Sequence, residues 1–217
     1  MTSHLSIHTL CVGFLAVNCY IAARENSQKA IVIDPGGDGD RILVLLQKLN
    51  LHPGFVLNTH GHIDHIGANV FLRENTQAEI GIHKLDAPFL GGELLCGAQA
   101  LAFPFTPHDP DFTFLDGDLL NLEDITIKVI HTPGHTPGGS CFFIDRTEEA
   151  PLLFSGDILF CGSVGRTDLP GGDFKILEKS LKKLKQIIPP ETIILPGHGS
   201  QTTMKEELET NPFLGEV

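Results

Sequence analysis

The chain has no C-x-x-C pair, and its five cysteines (Cys11, Cys19, Cys96, Cys141 and Cys161) are odd in number and widely spaced. This argues against a disulfide framework and against a cysteine-rich zinc site. Most of the five lie in apolar, strand-like surroundings and are expected to be buried free thiols. No apolar run approaches the roughly 18 to 20 residues needed to cross a bilayer, so no membrane partner is expected. Met1-Thr2-Ser3-His4-Leu5 forms neither the basic stretch nor the apolar run of a secretory signal, which makes the cytoplasm the expected location. Basic residues are scarce: 15 Lys and Arg stand against 27 Asp and Glu, a formal net charge of −12. A surface of that sign repels nucleic acid and anionic lipid. It still suits an anionic small substrate if bound cations reverse the sign locally. No Ser/Gly-rich linker or low-complexity segment divides the 217 residues, which are 41% hydrophobic and 19% charged. They are long enough for a sizeable core and are read as one domain, 1–217. Nothing in the pattern sets an oligomeric state.

What is present is a repeated rhythm. β-Branched stretches at 5–12, 17–23 and 29–33 predict three consecutive strands, the third ended by Asp34-Pro35-Gly36-Gly37. Ile42, Leu45, Leu46 and Leu49 have helical spacing within 40–50. A short buried strand at 54–58, a helix at 66–74 and a strand at 79–82 follow. Residues 84–116 are rich in Gly, Pro and Phe (Phe89, Phe103, Phe105, Phe112, Phe114). They predict a short helix and a loop packed over the sheet beside a cleft. Strands are then expected at 118–122, 126–130, 140–144 and 152–155. A helix at 174–188 presents Ile176, Leu177, Leu181, Leu184, Ile187 and Ile188 on one side. A strand at 192–195 and a helix at 204–209 close the chain. Both halves run through strands to a helix and then to a short strand ending in a His loop, without a close sequence repeat. That order predicts an α+β fold of two mixed layers packed sheet to sheet, with helices outside.

The chemistry concentrates in His60-Gly61-His62-Ile63-Asp64-His65, three imidazoles and a carboxylate on one short loop. His60 and His62, two apart, can point to the same side of an extended loop. Asp64 and His65 follow where the chain turns into a helix and can face a second position. Three more candidates each follow a Gly: His135 in Thr132-Pro133-Gly134-His135-Thr136-Pro137-Gly138-Gly139, Asp157 in Phe154-Ser155-Gly156-Asp157, and His198 in Leu195-Pro196-Gly197-His198-Gly199. Glycine lets such loops approach closely while rigid strands fix their roots. Five imidazoles with two carboxylates suit zinc first, with iron or manganese as alternatives, rather than calcium or magnesium. Seven ligands are too many for one tetrahedral ion, whereas two divalent ions sharing Asp157 use them all. His4, His8, His52, His83, His108 and His131 lack such a context and are read as surface or structural, with His131 close enough to His135 to support it.

H-x-H-x-D-H, then G-H, G-D and G-H in that order, resembles the metallo-β-lactamase superfamily. Thr59-His60-Gly61-His62-Ile63-Asp64-His65, Gly156-Asp157-Ile158-Leu159-Phe160 and Gly165-Arg166-Thr167-Asp168-Leu169-Pro170-Gly171-Gly172 are similar to its glyoxalase II-like branch. The likeness runs from Asn18-Cys19-Tyr20 to Asn211-Pro212-Phe213-Leu214. It implies a four-layer αβ/βα sandwich with the site at the sheet edges. It also implies that His60, His62 and His135 hold one metal, that Asp64, His65 and His198 hold the other, and that Asp157 bridges them.

Two such ions would leave about one net positive charge after Asp64, Asp157 and a bridging hydroxide, suited to a developing oxyanion. The hydroxide supplies a nucleophile without Ser or Cys, with Asp64 orienting the attacking oxygen as the catalytic carboxylate. A thiolate leaves without a strong general acid, matching the absence of another catalytic dyad. The expectation is a metal-dependent thioester hydrolase, with S-lactoylglutathione as leading substrate. Arg166 is either a substrate-anion contact or a loop partner of Asp168. The chain ends soon after His198, unlike the longer glyoxalase II enzymes, and resembles the short bacterial hydroxyacylglutathione hydrolase-like proteins. The alternative is a mononuclear-iron glutathione persulfide dioxygenase of the same superfamily, using His60, His135 and Asp157. Those enzymes carry Ala-His-Asp where this chain has Gly197-His198-Gly199, and Asp-Phe where it has Asp168-Leu169. A secreted β-lactamase would need a signal peptide, a nuclease a basic surface, and a binding module would have lost ligands.

Overall fold

The computed structural model describes residues 4–92, 105–146 and 149–215. The first half runs β1 (Leu5–Val12), β2 (Val17–Arg24), β3 (Lys29–Ile33), α1 (Gly39–Lys48), β4 (His52–Leu57), α2 (Ile63–Ile66), α3 (Asn69–Thr76), β5 (Glu79–His83), α4 (Ala87–Leu90) and β6 (Phe112–Phe114). The second runs β7 (Leu119–Leu122), β8 (Ile125–His131), β9 (Ser140–Ile144), β10 (Leu152–Gly156), β11 (Leu159–Phe160), β12 (Ser163–Val164), α5 (Phe174–Ile187), β13 (Ile193–Pro196), β14 (Thr202–Thr203), α6 (Met204–Thr210) and α7 (Pro212–Gly215). One sheet has the order β1-β2-β3-β4-β5-β6, the other β14-β13-β10-β9-β8-β7, and β11-β12 form a small hairpin.

Alternation along each strand divides the apolar residues among three cores. Ile31 and Ile33 of β3 face Ile125, Ile127 and Val129 of β8 and Leu152 and Phe154 of β10, filling the space between the sheets. Ala30 and Val32, on the opposite face of β3, pack with Ile42 and Leu46 of α1 and Leu72 of α3. Leu153 and Ile194 lie against Leu177, Leu181 and Leu184 of α5, with Met204 and Leu214. The result is the expected α+β fold, a four-layer αβ/βα sandwich. α5 begins at Asp173, whose carboxylate accepts from the Ile176 amide at 3.1 Å and satisfies a free donor of the first turn. No helix among the described residues is long and apolar enough to cross a membrane.

Strand direction brings the loops together. β3, β4, β5 and β6 are mutually parallel. β10 and β13 are parallel, and β8 runs with them because both β8 and β10 are antiparallel to β9. The loops leaving β3, β4, β8, β10 and β13 therefore meet at one edge of the sandwich. The sheets are tied there by Ser140 N–H to the Thr59 carbonyl (2.9 Å) and Asn18 N–H to the Gly197 carbonyl (2.8 Å).

Several local expectations change. The helix predicted at 66–74 is split into α2 and α3 where the Ala68 amide turns to the Pro35 carbonyl (2.8 Å). Residues 112–114, predicted as loop, form an edge strand too short to display alternation. The β11-β12 hairpin, β14 and α7 were not predicted, each being only two to four residues long. Cys19 and Cys141 are buried as expected; burial pushes the Cys141 thiol up to about 12. Cys11 and Cys161 are exposed, one on the edge strand β1 and the other in the turn after β11. Cys96 and Phe103 lie outside the described residues.

The ends of β5 and β8 meet through His83 and His131, whose rings stack at 4.1 Å and 6°. Burial, and then the neighbouring His131, holds His83 down at about 4. The unfolded chain takes up that proton near the ordinary His value of about 6.5. This contribution to stability is thus complete above 6.5 and is lost as pH falls toward 4. His83→Gln is expected to lose less stability than the parent between pH 7 and pH 5, by about 1 kcal/mol per pH unit at most. Urea unfolding at both pH values checks it, and equal losses would remove His83 as the source.

Candidate metal centre

The seven predicted side chains converge at that edge. His60, His62, His65 and His135 are buried, Asp64 and Asp157 are nearly so, and His198 is 29% exposed at the mouth. Their ligand-capable atoms form three overlapping groups, each within 4.8 Å: His60, His62 and His135; His60, His65 and Asp157; and Asp64, His65 and His198. Asp157 Oδ1 lies 3.4 Å from His65 Nε2, and its Oδ2 lies 3.5 Å from His135 Nε2 and 3.7 Å from His198 Nε2. Asp64 Oδ2 is 3.3 Å from His198 Nε2 and 3.8 Å from His65 Nε2.

Hydrogen bonds set which ring nitrogen faces inward. Asp34, at the end of β3, accepts from the Thr59 amide (2.8 Å), the Thr59 hydroxyl (2.7 Å) and His65 Nδ1–H (3.0 Å). His65 is left with Nε2 toward the cluster. The Thr59 oxygen, its proton given to Asp34, accepts from His60 Nδ1–H at 3.1 Å. His60 Nε2 then sits 3.1 Å from His62 Nδ1, two lone pairs suited to a shared cation rather than to each other. His135 Nδ1–H donates to the Arg166 carbonyl at 2.6 Å. The His198 loop is held by the Asn18 amide group on the Pro196 and Gly199 carbonyls (3.0 and 2.9 Å) and by Tyr20 Oη–H on Pro196 (2.7 Å).

The donor set fits a divalent transition metal. His65 Nε2, His135 Nε2 and Asp157 Oδ1 are buried and make no hydrogen bond among the described residues. Such orphaned atoms are costly in a protein interior, and a cation between them satisfies all three. Burial first, then the other imidazoles, holds His60 well below the ordinary His value and His62 down at about 3, so both are neutral ligands at pH 7. At His65 and His198 burial opposes charge, but the carboxylates outweigh it: Asp157, Asp34 and Asp64 raise His65, and Asp64 and Asp157 raise His198. Burial likewise opposes ionisation of Asp64 and Asp157, yet the histidines, His65 first, hold both carboxyls below the usual range.

Arg166 is the one predicted site residue whose side chain stays outside. Its exposed guanidinium forms two 2.7 Å bonds to Asp168, the loop pairing that the sequence left open. Its carbonyl, not its charge, touches the centre. Two working carboxylates were missed. Asp34 was read only as the end of a strand, although a carboxylate at the C-terminal end of a buried parallel strand is a usable signal. Asp86, fully buried in the turn before α4, has no such signal.

The chain matches the family model of the metallo-beta-lactamase superfamily over residues 12–198. It is 35% identical over 212 residues to hydroxyacylglutathione hydrolase GloC of Haemophilus influenzae, covering 97% of this chain and 98% of that protein. The crystal structure of TTHA1623 in a di-iron-bound form is 39% identical, with a TM-score of 0.83 and coverage of 95% of this chain and 100% of that one. The crystal structure of BLEG-1 B3 metallo-beta-lactamase is 34% identical, with a TM-score of 0.87 and coverage of 96% and 99%. With the fold and the histidine and aspartate clusters already in place, these matches are decisive: this chain belongs to the metallo-beta-lactamase superfamily.

Proposed function

We propose that this protein is a metal-dependent thioester hydrolase acting on S-lactoylglutathione or a related glutathione acyl-thioester, with 1–217 as a single hydrolase domain. The observation that carries the reading is the pairing of two ligand groups across one carboxylate, Asp157. His60, His62 and His135 would hold one ion, Asp64, His65 and His198 the other, and Asp157 both. When bound, the ions supply a nucleophile from water near neutral pH and a Lewis acid for the substrate carbonyl. Asp64, beside His198, would accept a hydrogen bond from the attacking water and orient it. A glutathione thiolate leaves without a proton donor, which matches a site whose imidazoles are all committed. The GloC relative supports a glutathione-derived substrate. The histidine-rich donors favour zinc, and the di-iron relative keeps iron beside it. Arg166 would contact a substrate anion by exchanging Asp168 for it.

Elemental analysis of the purified protein, run with a substrate panel, tests the reading. Two divalent ions per chain and fastest cleavage of S-lactoylglutathione are expected, ahead of acyl-coenzyme A thioesters and a β-lactam. Faster β-lactam opening would move the substrate class toward that of the BLEG-1 relative. One iron per chain with O₂ uptake on glutathione persulfide would replace hydrolysis by the dioxygenase reaction.

A further inference from the structure

Asp86 lies in the turn between β5 and α4, with none of its surface exposed. A buried carboxylate is costly unless its oxygens are satisfied, and here no Lys, Arg or His pairs with it among the described residues. Three donors from two loops do so instead. Oδ2 accepts from the Gly61 amide (3.0 Å) and the Thr136 hydroxyl (2.7 Å), and Oδ1 accepts from the Gly138 amide (2.5 Å). Gly61 sits between His60 and His62, while Thr136 and Gly138 follow His135. One side chain therefore joins the turn that carries two imidazoles to the loop that carries the third.

The clamp is rigid at its own root. The Asp86 amide donates to the His83 carbonyl (2.8 Å), and its carbonyl accepts from the Phe89 amide (3.0 Å). A Cβ on Gly138 would stand 2.7 Å from the Asp86 carboxyl carbon, so the approach depends on glycine there. The two loops are joined a second time by the Ser140 amide on the Thr59 carbonyl (2.9 Å). His60, His62 and His135 stand next to these ties along the chain, with ring centroids 4.5 to 4.8 Å apart.

We propose that Asp86 is a positioning residue for the first metal site: it fixes the separation of the His60-Gly61-His62 turn from the His135 loop without touching the ion. This rests on the metal-binding reading above. Charge-assisted bonds from the ionised carboxylate are stronger than neutral ones, and supporting contacts of this kind typically change metal affinity about 10- to 100-fold. The carboxylate has no equivalent contact with Asp64, His65 or His198, so its influence falls on one site of the two.

The test is Zn²⁺ titration against a chromophoric chelator, with Co²⁺ absorption as a second readout of geometry. Asp86→Ala and the milder Thr136→Val, which deletes one of the three bonds, are compared with the parent protein. A His198→Ala background leaves the three-histidine site to be read alone. The expected result is first-site affinity weakened about 10-fold or more in Asp86→Ala and less in Thr136→Val. The Co²⁺ spectrum should shift, and second-site affinity should stay within about 3-fold of the parent. Unchanged affinities with only a lower melting temperature would overturn the proposal by making Asp86 a fold residue, and equal weakening of both sites would overturn its assignment to the first. If Asp86→Ala does not fold, Thr136→Val decides. A parent protein binding no metal would instead defeat the functional reading, a failure visible before any variant is made.

Discussion

Asp157→Ala is expected to disable both halves of the centre at once, with metal content falling from two ions to below one per chain. Its Oδ1 faces His65 and its Oδ2 faces His135 and His198, so a single truncation strips carboxylate from both groups. On the first side only imidazoles remain, with His60 and His62 held below the ordinary His value, and on the second Asp64 is the one carboxylate left beside His65 and His198. His65 loses the partner that contributes most to raising it. Two dications gathered among histidines with less negative charge repel each other across a low-dielectric site. Turnover should fall by roughly 10³-fold or more, the scale seen when a main electrostatic element of an active site is removed. The fold itself should persist, since Asp157 lies beyond the end of β10 and makes no hydrogen bond through Oδ1. Metal per folded chain and kcat/KM on S-lactoylglutathione, with circular dichroism as control, provide the check. A full metal load with full activity would refute the bridging role.

The contrast between what could be read in the residues and what could not follows interaction range. β1 to β3 and α5 were legible because the strands are β-branched runs between polar or Gly breaks and the helix repeats apolar residues on one side, so each element carries its own local signal. The convergence of the seven side chains was legible for another reason. Metal-capable side chains flanked by Gly, each just after a strand, are rare in combination, and parallel strands deliver such loops to one edge. The supports were not legible. Asp34 reaches His65 across 31 positions, Asp86 reaches Gly138 across 52, and Asn18 reaches Gly199 across 181. Nothing in the local pattern around Asp86 distinguishes it from a surface carboxylate. Its burial follows from the approach of β5 to β8, where His83 also finds His131. Arg166 illustrates the converse. Its charge attracted a functional reading, while the contact it makes with His135 runs through a carbonyl that any residue possesses.

Gly36→Ala should be the most damaging Gly-to-Ala change among the described residues, although alanine suits this backbone, which does not use the left-handed region. A Cβ there would sit 1.5 Å from the Asp64 carbonyl oxygen and 2.6 Å from its carbon. Both are main-chain atoms, so no rotamer change relieves the overlap, and α2 has to move. The Pro35-Gly36 strap is itself fixed, by the Ala68 amide on the Pro35 carbonyl (2.8 Å) and the Gly36 amide on the Asp34 carbonyl (2.9 Å). A Cβ on Gly67 would in turn meet the Gly36 oxygen at 2.4 Å, so retreat on that side is limited too. Overpacking of this kind costs about 1–3 kcal/mol and more where backbone meets backbone. The damage is directional, because Asp64 and His65 travel with α2, whereas His60, His62 and His135 are tied elsewhere by Asp86 and Ser140. Protein that still folds should therefore keep about one ion per chain and lose at least roughly 100-fold in kcat/KM. Gly215→Ala is the control, since nothing lies within 4 Å of a Cβ there and the fold should be unaffected. Thermal melts and metal content of both variants check the prediction. A Gly36→Ala protein with parental melting temperature and two ions would mean that α2 yields freely, and that the second site is far less rigid than its buried contacts require.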